Sequence, residues 1–348
     1  MTGATRTAYV THPRFTEHDM PEHPEHAGRI RAIWRRLNEA GLTERLHQIE
    51  AQPASLDSIR AVHTKDYLAL LDRLSSLDEM VRLDADTYAG PTSYEIAQLA
   101  AGGVVQAVEE VVRGRSKNAL AVIRPPGHHA IPERGMGFCL LSNIAIAARY
   151  ANQHLGVERV FIVDYDVHHG NGTEAVFYDD PAVYFISTHQ SGIYPLSGHL
   201  DETGTGAGRG FTMNIPLVAG HGDASYKAIF EDVIWKAAER YQPQLILVSA
   251  GFDAHWADPL ARIRLSLDGF ARISREMVNM AEKLCGGKIA FVMEGGYNLD
   301  ALSYGWANIA RILLGDVDTV DPLGAPDTHA PEPDILPVLE QVKRIHRL

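Results

Sequence analysis

The 348-residue sequence predicts an α/β fold, a mostly parallel sheet flanked by helices. Two observations carry that prediction. Short β-rich apolar runs recur at 119–123, 160–164, 183–187, 245–249 and 289–293. Stretches with apolar residues at helical spacing lie around them, at 96–112, 143–152, 224–240 and 267–284. Nearly every cluster of reactive side chains follows one of the runs directly. Open α/β sheets bind ligands in the crevice beyond the carboxyl ends of their strands, so the clusters are expected to form one composite site.

The segment 96–112 reads as a helix leading into the first run. After that run comes Pro125-Pro126-Gly127-His128-His129, where the prolines stiffen a loop that presents two adjacent imidazoles. An imidazole titrating near neutrality can take a proton from attacking water or give one to a leaving amine. Gly135-Met136-Gly137-Phe138-Cys139 then sets an aromatic ring beside glycine, and 143–152 reads as the next helix.

The run 160–164 closes on the densest cluster, Asp164-Tyr165-Asp166-Val167-His168-His169-Gly170-Asn171-Gly172. Alternation along a strand puts Asp166 and His168 on one face, with Asp164 deeper. One oxygen and one nitrogen ligand make half of a catalytic zinc or iron site, which needs a third ligand and an open position. Asp253, just beyond the run 245–249, is the candidate third ligand. An anionic Asp164 and a neutral Asn171 near the paired histidines would make the two imidazoles chemically unequal.

After the run 183–187 comes Ser191-Gly192-Ile193-Tyr194-Pro195, whose ring, like Phe138, suits the wall of a narrow tunnel for an alkyl chain. Segments 224–240 and 267–284 read as helices packed on the sheet. The last run, 289–293, leads into Glu294-Gly295-Gly296-Tyr297-Asn298. Paired glycines allow a sharp turn and close backbone approach. The Tyr297 phenol, neutral at pH 7, is suited to hold an oxyanion, a contribution of about 3 kcal/mol. A Pro- and Asp-rich surface segment is expected at 315–334 and a final helix at 335–346. With no repeat and no earlier linker, the chain reads as a single domain, 1–348.

Composition excludes several classes. The net charge is −12 and no Lys/Arg block marks a nucleic-acid groove. Two cysteines, Cys139 and Cys285, rule out a disulfide framework and a four-thiolate metal site. The N-terminal residues lack an apolar leader, and no apolar run reaches the roughly 18 residues a membrane span needs. A soluble cytoplasmic protein without a membrane or nucleic-acid partner is expected, its oligomeric state open, a homo-oligomer included.

Taken in order along the chain, these motifs resemble the zinc-dependent deacetylase family, which includes histone deacetylases and acetylpolyamine amidohydrolases. The resemblance runs from His23-Pro24-Glu25 to Tyr297 and implies the arginase-like three-layer α/β fold, with about eight strands in its central sheet. It implies Zn2+ held by Asp166, His168 and Asp253, although such a ligand set also accepts Fe2+ or Co2+. It implies His128 and His129 as the tandem histidines, with Asp164 and Asn171 as their partners, and Tyr297 as the carbonyl-polarising phenol. Gly137, Phe138, Tyr194, Leu260 and Gly295 are implied to contact substrate. One structural K+ is implied around Asp164, Asp166, His168, Ser187 and Thr188, and a second near Phe177, Asp180 and Val183.

Asn171, Pro125-Pro126 and Glu294-Gly295-Gly296-Tyr297 look like the class II branch, although the family often has Phe in place of Tyr194. Related polyamine deacetylases have Glu at the position of Leu260, so an aliphatic residue there is similar to the lysine deacetylases. Asp86 is the candidate for the rim aspartate that grips substrate backbone. The implied reaction is removal of an acetyl group from the lysine side chain of a protein or peptide, releasing acetate. The alternatives are hydrolysis of small acetylated amines such as acetylpolyamines, a non-catalytic acyl-lysine binder, and a manganese ureohydrolase.

Overall fold

The computed structural model describes residues 6–326 and 330–348. The first five residues, part of the stretch read above for a leader, and residues 327–329 of the Pro/Asp-rich segment lie outside the described residues.

All five apolar runs are strands of one eight-stranded sheet, in which every neighbouring pair is parallel. In chain order the strands are β1 (Thr7–Thr11), β2 (His47–Glu50), a separate antiparallel pair β3 (Val81–Arg82) and β4 (Tyr88–Ala89), then β5 (Asn118–Ala121), β6 (Val160–Asp164), β7 (Val183–Gln190), β8 (Thr212–Leu217), β9 (Leu245–Ala250) and β10 (Ile289–Met293). The sheet order is β2-β1-β5-β10-β9-β6-β7-β8. Strands β5, β6, β7, β9 and β10 are buried along their whole length. A parallel strand covered on both faces must be apolar throughout, which is why these five stand out as unbroken runs. The three outer strands escaped the sequence reading for physical reasons. β2 reads His-Gln-Ile-Glu and is alternately half-buried and exposed at the edge. β8 contains Asn214 and Pro216 at the other edge, where a missing N–H is tolerated. β1 reads Thr-Ala-Tyr-Val-Thr, buried throughout but with a threonine at each end that breaks the apolar run.

The helices are α1 (Gly28–Glu39), α2 (Leu56–Arg60), α3 (Lys65–Ser75), α4 (Ser93–Val112), α5 (Asn143–His154), α6 (Asn171–Phe177), α7 (Asp223–Ile229), α8 (Trp235–Tyr241), α9 (Leu267–Cys285), α10 (Leu299–Leu313) and α11 (Leu336–His346). They gather into packed groups about the sheet, with α1 on α10 and α10 on α9, and α4 on α5. The single helix expected over 224–240 is instead α7 and α8 joined by a π-helical turn, Phe230–Ile234, which turns Phe230, Val233 and Ile234 into the core. Helices α9 and α10 start on side-chain caps, Ser266 Oγ accepting from the Gly269 N–H and Asn298 Oδ1 from the Asp300 and Ala301 N–H groups.

A buried ion cluster ties the N-terminal segment to the sheet. The Arg124 guanidinium grips Glu25 in a two-pronged fashion, Nε to Oε1 at 2.5 Å and Nη2 to Oε2 at 2.7 Å, and donates to the Phe15 carbonyl at 2.7 Å. Arg29 adds a third bond to Glu25 Oε1 at 3.1 Å, and none of the three side chains is exposed. Buried charges of this kind persist only when paired and fully hydrogen-bonded.

Four buried histidines are held neutral. Burial pushes His18 down to about 3, with Arg124 adding to it, and pushes His63, His255 and His346 down to about 4. A histidine with a depressed folded pKa gives its full stability above the unfolded value near 6.5 and loses it as pH falls towards the folded value. Each such group costs up to about 1.4 kcal/mol per pH unit of descent. The urea midpoint is therefore expected to fall steadily from pH 6.5 to pH 5, before most carboxylates titrate. A midpoint that stays level over that interval would show that these imidazoles are not buried neutral.

Candidate active site

The strand order makes neighbours of β5, β10, β9, β6 and β7, and the segments after their carboxyl ends converge. Strand β6 ends at Asp164, and Asp166 and His168 lie on the bend that follows, not on the strand as alternation suggested. They are nevertheless brought together, and Asp253 joins them from the loop after β9.

The two carboxylates divide their oxygens. Asp166 Oδ2 accepts from the Gly295 N–H at 2.8 Å, and Asp253 Oδ1 from the Val167 N–H at 2.9 Å. Their other oxygens, Asp166 Oδ1 and Asp253 Oδ2, each lie 3.2 Å from His168 Nδ1. Three donor atoms of these residues lie within 4.8 Å of one another, the one such grouping among the described residues. Burial opposes a charge on His168, yet Asp166 and Asp253 together hold its pKa up to about 10. Two buried carboxylates around one imidazole are still short of positive charge. A set of two oxygens and one nitrogen fits a divalent ion of the zinc type.

Glycine is required here. A Cβ on Gly251 would stand 2.1 Å from Asp166 Oδ2, and one on Gly295 would stand 2.2 Å from Asp253 Oδ2. Gly295, expected at the substrate, packs instead against the Asp253 and Asp166 carboxylates and is not among the residues that line the cavity.

The tandem histidines are unequal, as their partners suggested. His128 Nδ1 lies 3.0 Å from Asp164 Oδ2 and His129 Nδ1 lies 2.7 Å from Asn171 Oδ1. Burial disfavours a charge on His128, but Asp166 and Asp164 overcome it and raise the pKa to about 10. Burial and the neighbouring His128 and His168 drive His129 well below 6.5, and Asn171 restores little. A neutral His129 that donates from Nδ1 to Asn171 keeps Nε2 as an acceptor. His129 lines the cavity and His128 does not. Glu294 Oε2 anchors the histidine loop by accepting from Gly127 N–H at 2.7 Å and His128 N–H at 3.1 Å.

The cavity has a volume of about 410 Å³. His129, His168 and Tyr297 lie at its buried end, Phe138, Ile193 and Tyr194 form the walls, and Arg82, Asp86 and Leu260 stand towards solvent. Phe138 meets Tyr297 edge-on at 5.8 Å, and Tyr194 meets His129 edge-on at 5.1 Å. Gly137 and Phe138 both adopt positive φ, 55° and 70°, and the Phe138 N–H is held by Thr87 Oγ1 at 3.1 Å. His23 Nε2 binds the Asp86 carbonyl at 2.8 Å, so the N-terminal segment carrying Met20, His23 and Pro24 forms part of the entrance.

The turn carrying Tyr297 is pinned from both sides. Arg29 donates to the carbonyls of Gly296 at 2.8 Å and Glu294 at 2.5 Å, and its guanidinium lies 4.9 Å from the Tyr297 ring centroid. Asp258 Oδ2 accepts the N–H groups of Tyr297 and Asn298. Burial and nearby carboxylates keep the phenol protonated, its pKa well above 10. Sequence reasoning passed over Arg29, Asp258, Thr87 and the Glu294 side chain. Of these, only Glu294 carried a local signal, an acid directly at the end of an apolar strand.

The residues named for potassium are also grouped. Asp164, Ser187 and Thr188 are fully buried, with Thr188 Oγ1 donating to the Asp164 carbonyl at 3.4 Å. Phe177, Asp180 and Val183 are linked through backbone bonds at 3.1 and 3.5 Å, and Arg149 pairs with the Asp180 carboxylate.

Residues 23–313 match the model of the histone deacetylase domain. The chain is 40% identical over 358 residues to histone deacetylase 10, chloroplastic, of Oryza sativa subsp. japonica, covering 98% of this chain and 81% of that relative. It is 42% identical over 279 residues to the histone deacetylase-like amidohydrolase of Pseudomonas aeruginosa, covering 80% and 72% of the two. The crystal structure of the HDA15 HD domain superposes with a TM-score of 0.89 at 35% identity, covering 99% of this chain and 95% of that one.

The wall at Gly137 leads to a direct test. A Cβ there would stand 2.4 Å from the His129 ring and 2.9 Å from Tyr194, on a backbone of positive φ. Gly137→Ala is expected to lower kcat/KM by about ten-fold or more, since a small displacement of reacting groups carries a large rate penalty. Steady-state kinetics alongside a melting curve would check it, and unchanged kcat/KM would mean that His129 and Tyr194 are free to shift.

Proposed function

The chain belongs to the histone deacetylase family, and within it we propose that this protein is a zinc-dependent amidohydrolase that removes acetyl groups from lysine side chains. The observation that carries this reading is the meeting of Asp166, His168 and Asp253 with His129 and Tyr297 at the buried end of one aromatic-walled cavity. Asp166, His168 and Asp253 would hold the ion, which supplies Lewis acidity for the acyl carbonyl and for water.

The rest of the chemistry falls to the chain's own side chains. Phe138 and Tyr194 hold the lysine methylenes between flat apolar faces. Neutral His129 accepts the proton of the attacking water at Nε2 as the new C–O bond forms. It returns that proton to the departing amine as the C–N bond breaks, leaving acetate and free lysine. Charged His128, held by Asp164, stabilises negative charge developing beside it, and the Tyr297 hydroxyl donates a hydrogen bond to the oxyanion. The buried groups around Asp164, Ser187 and Thr188 and the cluster of Phe177, half-buried Asp180 and Val183 are the sites proposed for structural K+.

Leu260 at the exposed end supports lysine over polyamine, because an aliphatic side chain offers nothing to a distant ammonium group. Tyr297 beside a complete ligand set opposes a purely binding role.

Tyr297→Phe is expected to retain one metal ion per chain by elemental analysis while kcat falls on the order of a hundredfold, the loss expected for one oxyanion donor. Near-normal turnover would remove the phenol from the mechanism. Measuring kcat/KM on an acetyl-lysine peptide and on N8-acetylspermidine side by side tests the substrate. Preference for the peptide is expected, preference for the polyamine would overturn the lysine assignment, and no turnover of either by metal-loaded protein would favour an acyl-lysine binder.

A further inference from the structure

Asp258 lies almost wholly out of solvent at 6% exposure, and among the described residues no cation pairs with it. Its carboxyl oxygens accept from three backbone N–H groups. Oδ2 accepts from Tyr297 at 2.7 Å and Asn298 at 3.2 Å, and Oδ1 accepts from Leu260 at 3.0 Å. The two oxygens therefore face different parts of the site. One holds the turn that carries the phenol, and the other holds Leu260, a lining residue of the same cavity that is 38% exposed.

The phenol side of this junction is rigid. Asn298 Oδ1 caps helix α10, and its Nδ2 donates to the Ala257 carbonyl at 3.2 Å. Arg29 clamps the neighbouring carbonyls of Glu294 and Gly296. The turn is thus gripped by an arginine on its carbonyl side and by an aspartate on its amide side. On the Leu260 side the chain runs from a buried carboxylate to an exposed side chain within two residues.

We propose that Asp258 is a positioning residue that couples the mouth of the cavity to the phenol, so that substrate contact at Leu260 is felt in the placement of Tyr297. Binding energy gained away from the reacting bond then appears in turnover and not only in affinity. The inference rests on the reading of Tyr297 as an oxyanion donor, and the experiment separates the two. An asparagine at 258 keeps the shape but has one acceptor oxygen, and its NH2 group would confront a backbone N–H.

The test uses the metal-loaded full chain and an acetyl-lysine peptide, with kcat and KM measured for wild type, Asp258→Asn, Tyr297→Phe and the double variant. Asp258→Asn is expected to lower kcat about ten-fold with KM within about three-fold of wild type, and to cost little more once Tyr297 is already Phe. Leu260→Ala should lower kcat in the wild-type background and change only KM when Asp258 is Asn. Losses that multiply in the double variant, although Tyr297→Phe alone is crippled, would overturn the role of Asp258 and leave that of the phenol standing. A Tyr297→Phe enzyme with near-normal kcat would overturn both. Should Asp258→Asn fail to fold, Leu260→Pro deletes one of the three donors at an exposed position. A kcat below that of Leu260→Ala supports the coupling, and an equal kcat overturns it.

Discussion

Two carboxylates, Asp166 and Asp253, are buried around a single imidazole, and the surrounding structure holds that excess of negative charge in place. Asp253 has one oxygen fixed by a backbone N–H and Asp166 has both, and each carboxylate turns one oxygen towards His168 Nδ1. Packing the backbone this closely on both carboxylates demands small residues, which is why Gly251 and Gly295 admit no Cβ. The same charge reaches further out. It keeps His128 protonated against its burial and helps to hold the Tyr297 phenol in its neutral form. A structure that holds carboxylates this closely together in its interior is preorganised for a cation.

The turn Glu294–Asn298 is where the constraints meet. Its Glu294 side chain carries the tandem-histidine loop, its Gly295 amide orients a ligand carboxylate, and its Glu294 and Gly296 carbonyls are clamped by Arg29. The candidate metal-binding side chains, the paired histidines and the phenol are thereby set relative to one another by one short segment. Arg29 itself is held by Glu25, which also grips Arg124 at the end of β5. The buried ion cluster thus fixes the relation between the cavity entrance and its floor. That asks more of it than stability alone, for which an apolar replacement could serve as well.

The asymmetry of His128 and His129 shows how far a local reading of partners can go. An anionic partner for one imidazole and an amide for the other sufficed to expect unequal basicity, and the geometry pairs Asp164 with His128 and Asn171 with His129. The opposition is sharpened by something no local pattern contains. His168, brought to it from the end of another strand, joins the adjacent His128 in disfavouring a charge on His129, so that charge is suppressed by neighbours as well as by burial.

By itself the sequence determined the five central strands, the helices α4, α5, α9 and α11, and the reactive residues that the fold gathers around one cavity, because each of these signals is local. A strand buried on both faces must be apolar along its length, and reactive side chains at its carboxyl end need only a few residues to declare themselves. The edge strands β2 and β8 carried no such signal, since exposure and an edge position relax the demand for apolar residues. The π-helical turn inside 224–240, the packing of Gly295 on the ligands and the placing of Asp166 and His168 on a bend were settled only by packing. So were the roles of Arg29, Asp258 and Thr87, whose partners lie tens to hundreds of residues away. The tertiary fold makes those residues neighbours, in part by setting β10 between β5 and β9, and the energy of a hydrogen bond or an ion pair exists only at that distance.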